Sequence, residues 1–229
     1  MQTTFKGYVL RIYPTDEQKE LINKTIGCAR FIYNHFLDEK ISDYKETGKS
    51  KSCYDQIKEL PTLCKEYPWL SEVDSCSLRT SLFNLDDAYK RFFNKQNEFP
   101  RFKNKDIGNS YKTNNIKNTY KDKNYESIKV DFQNKIITLP KLKEVKFRGY
   151  RNKDYFIGNI KSGVIRRVAS RYYVSILVEE PLILPEFTPR SIVGLDLGIK
   201  DIITTSYNEK IENSLSSLEV KKRIKGLQK

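Results

Sequence analysis

The sequence predicts an α+β fold: a small β-barrel carrying an inserted helical bundle, followed by the first strands of a further, incomplete sheet. Three observations predict it. Apolar residues recur at helical spacing from position 14 to 97. Short strand-like stretches separated by turn signals fill 127–178, as in small barrels. A lone strand-like stretch at 5–13 stands ahead of the helices, where it can complete the barrel and make the helices an insertion.

Residues 5–13 carry Phe5, Tyr8, Leu10 and Ile12 near a period of two. A helix starts after Pro14. Thr15 and Gln18 fit a capping box, Asp16 and Glu17 suit the helix dipole, and Gly48 is the stop. Leu21, Ile22, Ala29, Tyr33, Phe36 and Leu37 form its apolar face, and His35 falls on it as a packing or surface residue. A shorter helix covers about 52–66, kinked or divided by Pro61. Asp74 or Ser75 caps a third, with Leu78, Leu82, Leu85, Tyr89 and Phe92 in one stripe and Arg79, Lys90 and Arg91 opposite. That basic face either reads a DNA groove or supports a neighbour. Asn, Lys and Tyr dominate 103–125, which reads as a long polar loop ordered by nucleic acid. Strand candidates follow at 127–132, 135–139, 145–148, 160–162, 164–169 and 172–178. Pro181, Pro185 and Pro189 mark a linker, and beyond it come a strand at 192–197 and a hairpin around Ser206–Glu209.

The 229 residues are 38% hydrophobic and 12% aromatic, enough to pack a core and to exclude general disorder. The net charge of +13 is segregated. Residues 1–98 carry 15 basic and 15 acidic side chains and 172–229 carry 8 of each, whereas 99–171 carry 19 basic against 6 acidic. A strip of this kind suits phosphate neutralisation and counterion release, for a solubility device needs no segregation; the alternative is a solvated lysine-rich loop region. Lys112, Arg166 and Arg167 are candidate nucleic-acid contacts within it. Tyr111, Tyr120, Tyr125, Phe132, Phe147, Tyr150, Tyr155 and Phe156 are interleaved there and either stack on bases or fill a core. Four cysteines at 28, 53, 64 and 76 make no C-x-x-C pair, and one histidine excludes a His–His metal site. No apolar run reaches the roughly 18 residues of a membrane span. Residues 1–6 lack the charged-then-apolar pattern of a secretory signal, so a cytoplasmic protein with no membrane partner is expected.

One motif carries chemistry: Val193-Gly194-Leu195-Asp196-Leu197-Gly198-Ile199-Lys200-Asp201. In a strand Gly194, Asp196 and Gly198 share a face, so the glycines clear space beside a lone carboxylate. That suits a metal ion or a phosphate backbone; the alternative is a core strand whose aspartate caps the following turn.

Four segments in this order resemble the TnpB/OrfB proteins of bacterial insertion sequences, which are RNA-guided DNA nucleases involved in transposition and related to type V CRISPR effectors. They are Arg11-Ile12-Tyr13-Pro14-Thr15-Asp16-Glu17-Gln18, Leu85-Asp86-Asp87-Ala88-Tyr89-Lys90-Arg91-Phe92-Phe93, Phe99-Pro100-Arg101-Phe102-Lys103-Asn104-Lys105, and 193–201 with Glu209-Lys210-Ile211-Glu212-Asn213. The resemblance implies a β-barrel wedge domain (1–13 and 98–189), a helix-turn-helix-like recognition domain inserted at 14–97, and the start of an RNase H-like RuvC domain at 190–229. It implies double-stranded DNA with a short target-adjacent motif and a guide RNA from the transposon end as partners. Asp196 matches the first RuvC carboxylate, a ligand of the catalytic magnesium. Arg101, Lys103 and Lys105 match a Pro-Arg-Phe-Lys segment beside the nucleic acid, where they are natural phosphate contacts.

Family members continue through a second catalytic Glu, a four-cysteine zinc ribbon and a final catalytic Asp, whereas this chain reads into a basic helix at 220–229. The resemblance therefore implies a truncated member that binds DNA and guide RNA without cutting, and zinc is not expected. The alternatives are a nuclease completed by further sequence or a nuclease-dead DNA-binding repressor. A third reading, the phosphate loop of an actin-like ATPase, fails on position, because that motif opens its domain.

Overall fold

Alternation along the first strand sets the inside and outside of the main sheet. β1 (Thr3–Tyr13) buries Leu10 and Ile12 and turns Val9, Arg11 and Tyr13 to the other face. In this computed structural model the described residues are 2–105, 109–120, 123–148, 158–182, 192–198 and 201–212. Tyr150, Tyr155, Phe156, Pro185, Pro189, Ile199, Lys200, Asn213 and 220–229 lie outside them, as does the side chain of Tyr120. The chain divides into two compact units, Met1–Leu182 and Ile183–Lys229.

In the first unit β1 is central to a seven-stranded antiparallel sheet. The other strands are β2 (Ser110–Asn114), β5 (Lys129–Asp131), β6 (Ile136–Leu139), β7 (Lys143–Arg148), β8 (Asn159–Val168) and β9 (Arg171–Pro181). Their order is β2-β8-β9-β1-β7-β6-β5. The predicted barrel is corrected to an open sheet: among the described residues the edge strands β2 and β5 share no ladder. Side chains bridge them instead. Asn115 Oδ1 accepts from Ile128 N at 2.9 Å, and Ser127 Oγ accepts from Ile116 N at 2.8 Å. Closure fails here because β5 has three residues and a separate hairpin, β3 (Lys117–Tyr120) with β4 (Lys123–Glu126), leaves between the edges.

That hairpin and β2 also correct the long polar loop expected at 103–125. Tyr111 and Thr113 alternate inward and are buried, a period-two signal that the surrounding Asn and Lys obscured. The two strand candidates at 160–169 are one strand, β8, with a register shift between Ile160 and Ser162.

Three helices leave from β1 and return to β2. α1 (Asp16–Thr47) starts with the predicted box: Thr15 Oγ1 accepts from Gln18 N at 3.3 Å, and Thr15 N donates to Gln18 Oε1 at 3.0 Å. It stops at Gly48, whose φ of 69° is left-handed. α2 (Cys53–Glu66) is not divided at Pro61; buried Leu60 and Leu63 hold it across the missing N–H. A 3-10 turn, Pro68–Glu72, leads to α3 (Ser75–Phe93), capped by Asp74 Oδ1 on Cys76 N at 3.0 Å. Thirty-two residues make α1 about 48 Å long. That length lets it serve two cores: Ile22, Ile26 and Ala29 close the inner face of the sheet, while Ile32, Phe36 and Leu37 pack on Leu78, Leu82 and Leu85. His35 packs against Phe31 and Phe36 with ring centroids 5.7 and 5.0 Å away.

The second unit holds β10 (Leu195–Asp196), β11 (Asp201–Thr205) and β12 (Lys210–Glu212) in that order, antiparallel, with the predicted hairpin at 206–209. The strand expected at 192–197 pairs over only two residues. Among the described residues no helix is long and apolar enough to cross a membrane.

Candidate nucleic-acid interface

Register places one row of side chains across five strands. Ser110 on β2 faces Arg166 on β8, Arg166 faces Tyr173 on β9, Tyr173 faces Arg11 on β1, and Arg11 faces Arg148 on β7. Directly opposed residues project to the same side of a sheet. Here that is the outer face, because Ile12, Phe147, Ile165 and Val174 fill the core from the other. Tyr13 joins the row between two cations, with the Arg11 and Arg148 guanidinium carbons 5.0 and 5.5 Å from its ring centroid. Arg166 stands 5.5 Å over Tyr173. Three guanidinium groups alternate with two phenol rings and no carboxylate interrupts the row. Arginine held over an aromatic face keeps its charge and fork of donors available to a phosphate.

Ser110 also lines a cleft of about 170 Å³ shared with Ala29, Arg30, Ser81, Asn84, Lys103, Tyr111, Lys112 and Val164. Its charged side chains among the described residues are Arg30, Lys103 and Lys112, three cations. The chain around Lys103 is strapped onto α1. Asn34 Nδ2 donates to the Lys103 carbonyl oxygen and Asn34 Oδ1 accepts from Lys103 N, both at 2.8 Å; Arg30 Nη1 donates to the Asn104 carbonyl oxygen at 3.1 Å. Lys103 itself lies 3.8 Å over the Tyr33 ring, and burial holds its ammonium below the usual lysine pKa.

The sequence-predicted residues divide accordingly. Lys103 and Lys112 meet in the cleft and Arg166 adjoins it in the row. Lys105 is exposed on the same strap, and exposed Arg101 pairs with Glu98. Arg167 ties β8 to α1, Nη1 donating to Asn23 Oδ1 at 2.9 Å. The helical cations are not brought to this cleft. Arg79 lines another with Tyr54, Ile57 and Phe83, Arg91 is exposed on α3, and Lys90 pairs with Asp86 at 2.8 Å. Of the interleaved aromatics, Tyr111 and Phe147 are core and Tyr125 is exposed. Sequence reasoning missed Arg11, Arg148 and Arg30 as site residues. Strand alternation around buried Ile12 and Phe147 could have found the first two. Arg30 needed the stripe Asn23, Arg30, Asn34 along α1.

Asp196 stands on β10 opposite Thr204. At Gly198 a Cβ would lie 2.8 Å from the Asp201 carbonyl oxygen, a close backbone approach that glycine permits. Across the hairpin Asp201 faces Glu212, and its Oδ2 is 4.0 Å from Lys210 Nζ. Among the described residues no three His, Cys, Asp or Glu side chains gather as a metal site. One carboxylate does not fit a pair of magnesium ions held about 3.5–4 Å apart. The cysteines are free; burial pushes the Cys28 thiol up to about 11 and raises Cys53 too, which suits packing rather than ligation or attack.

An open sheet whose outer face carries arginine and tyrosine beside a cationic cleft is a surface complementary to a polyanion. Residues 1–49, which comprise β1 and α1, match the helix-turn-helix domain model of the OrfB/IS605 type. The chain is 27% identical over 227 residues to InsQ of Escherichia coli K12, covering 98% of this chain and 53% of that protein. It is 30% identical over 216 residues to a Streptomyces pristinaespiralis protein, covering 93% and 51%. Both are named as RNA-guided DNA endonucleases. A Salmonella dublin virulence protein, VsdF, is 37% identical over 105 residues, 41% of this chain and 88% of its own. A solved Cas12f1–sgRNA–target DNA complex aligns at 14% identity with a TM-score of 0.42, over 98% of this chain and 61% of that one. The chain belongs to the TnpB/OrfB family. It spans about half the length of the two curated endonuclease-named relatives.

Proposed function

We propose that these residues form the nucleic-acid-binding part of a TnpB-like protein, holding duplex DNA with a short target-adjacent motif and a guide RNA from the transposon end. The arginine–tyrosine row across β2, β8, β9, β1 and β7 carries the reading. Arg11, Arg148 and Arg166, with Arg30, Lys103, Lys105 and Lys112, contact phosphates and set register; Arg79, Arg91, Arg101, Arg167 and Lys90 extend the basic surface. Such contacts fix position, and pairing with the guide supplies sequence. Asp196 would supply one carboxylate to a magnesium site of the family's kind, and further donors would be needed before these residues could cut. A second reading, a working magnesium-dependent endonuclease, is favoured by the retention of Asp196 and by the names of the relatives.

Binding measured against salt tests the first reading. RNA is expected to co-purify at low salt, and log affinity for duplex DNA is expected to fall linearly with log salt. Arg148→Gln lowers that slope by about 0.9 and weakens binding alike for all sequences. Protein that emerges free of nucleic acid and shows no salt-dependent binding would overturn it.

A further inference from the structure

Where α1 and α3 end, a groove of about 820 Å³ is lined by none of the residues of the arginine row. Its floor and walls are aromatic: Tyr44, Tyr89, Phe92, Phe93 and Phe99. The apolar stripe of α3 runs past the helical core, which ends at Leu85 and half-buried Tyr89, and so delivers Phe92 and Phe93 where no described element covers them. Phe93 is 72% exposed and Tyr44 65%. Four of these rings nonetheless hold one another: Phe99 meets Tyr89 and Phe92 edge-on with centroids 5.6 and 5.3 Å away, and Phe93 stacks on Tyr89 at 6.2 Å.

Charge argues for the occupant. The groove's one lining carboxylate among the described residues, Asp86, is held by Lys90 at 2.8 Å. Lys40 donates to the Lys51 carbonyl oxygen at 2.5 Å and stands 5.5 Å over Tyr89, so it is part of the wall. Lys45 and Lys49 line the rim on either side of Gly48 and make no ion pair among the described residues. Pre-set aromatic faces with unneutralised lysines at the rim match a strand of unpaired nucleotides, whose bases stack and whose phosphates meet the lysines. We infer that this groove binds unpaired nucleotides, as a site separate from the phosphate-contacting sheet face. The inference rests on the nucleic-acid reading above.

Phe93 is exposed, so its removal leaves the fold intact. Fluorescence anisotropy on the 229-residue protein would use a dye-labelled oligothymidine and a duplex of equal length. Phe93→Ala is expected to weaken oligothymidine binding about tenfold, stacking on one ring being worth that much, with the salt slope and duplex affinity unchanged. Phe93→Tyr, which keeps the ring, is expected to restore it. Oligothymidine affinity within about twofold of wild type in Phe93→Ala, with wild-type binding intact, overturns the groove while leaving the sheet reading standing. So does a variant that loses only self-association in sedimentation, which would make the groove a contact between copies. Wild-type protein that binds neither probe overturns both readings.

Discussion

Lys103 holds its ammonium over the Tyr33 ring in a cleft shared with Arg30 and Lys112, without a carboxylate among the described lining residues. Burial is the cause of its lowered pKa. The unfolded chain, with a lysine near 10.5, binds more protons than the folded one between the folded pKa and 10.5. Lys103 therefore makes stability rise with pH across that window. Buried tyrosines such as Tyr33 and Tyr89 have raised pKa values and contribute the opposite trend, so the comparison must be between variants. Chemical unfolding of wild type and Lys103→Met at stepped pH is expected to show wild type gaining stability relative to the variant as pH rises through that window. That gain should vanish when nucleic acid occupies the cleft, because an anion favours the charged lysine. Identical pH profiles for the two proteins would remove the argument that Lys103 waits for a phosphate.

At the scale of elements, Gln18 joins the long helix to the sheet. Its Oε1 completes the capping box, while its Nε2 donates to the Leu142 and Glu144 carbonyl oxygens at 3.0 and 2.8 Å. In an isolated helix Gln18→Glu would be neutral or favourable, since Glu also suits a capping box and an anion suits the helix N-terminus. Here it removes two donors and sets a carboxylate against two carbonyl oxygens. The substitution is expected to cost about 2 kcal/mol and to lower the thermal midpoint by roughly 4–8 °C; an unchanged or higher midpoint would show that the helix start is not tied to the sheet. The box itself was legible in Thr15 and Gln18, as were the helix ends and most strands, because caps and periodicity are local signals. Gln18's second role was not legible, since its acceptors lie more than a hundred positions away. The arginine row was half legible for the same reason. Alternation tells which way Arg11 and Arg148 point, but only the pairing β2-β8-β9-β1-β7 aligns them with Arg166. The barrel was misread because the number and spacing of strands do not reveal whether the edges meet.

For the molecule as a whole, recognition and chemistry have different requirements. A polyanion is held by many separate cations, and losing one shifts the affinity by a modest factor. Cleavage by paired metal ions needs several carboxylates within a few ångströms, and the loss of one donor is severe. Among the described residues, separate cations of the first kind lie on the sheet face, whereas no cluster of three carboxylates of the second kind accompanies Asp196. On the binding reading proposed above, the 229-residue protein given magnesium, a guide RNA from the transposon end and a matching duplex is expected to shift the duplex in a gel and leave it uncut. Asp196→Asn should bind as wild type does, since Asp196 is not among the cations assigned to phosphates. Magnesium-dependent cutting by wild type that disappears in Asp196→Asn would reverse this and establish the working-endonuclease reading, with the remaining ligands supplied by residues outside those described.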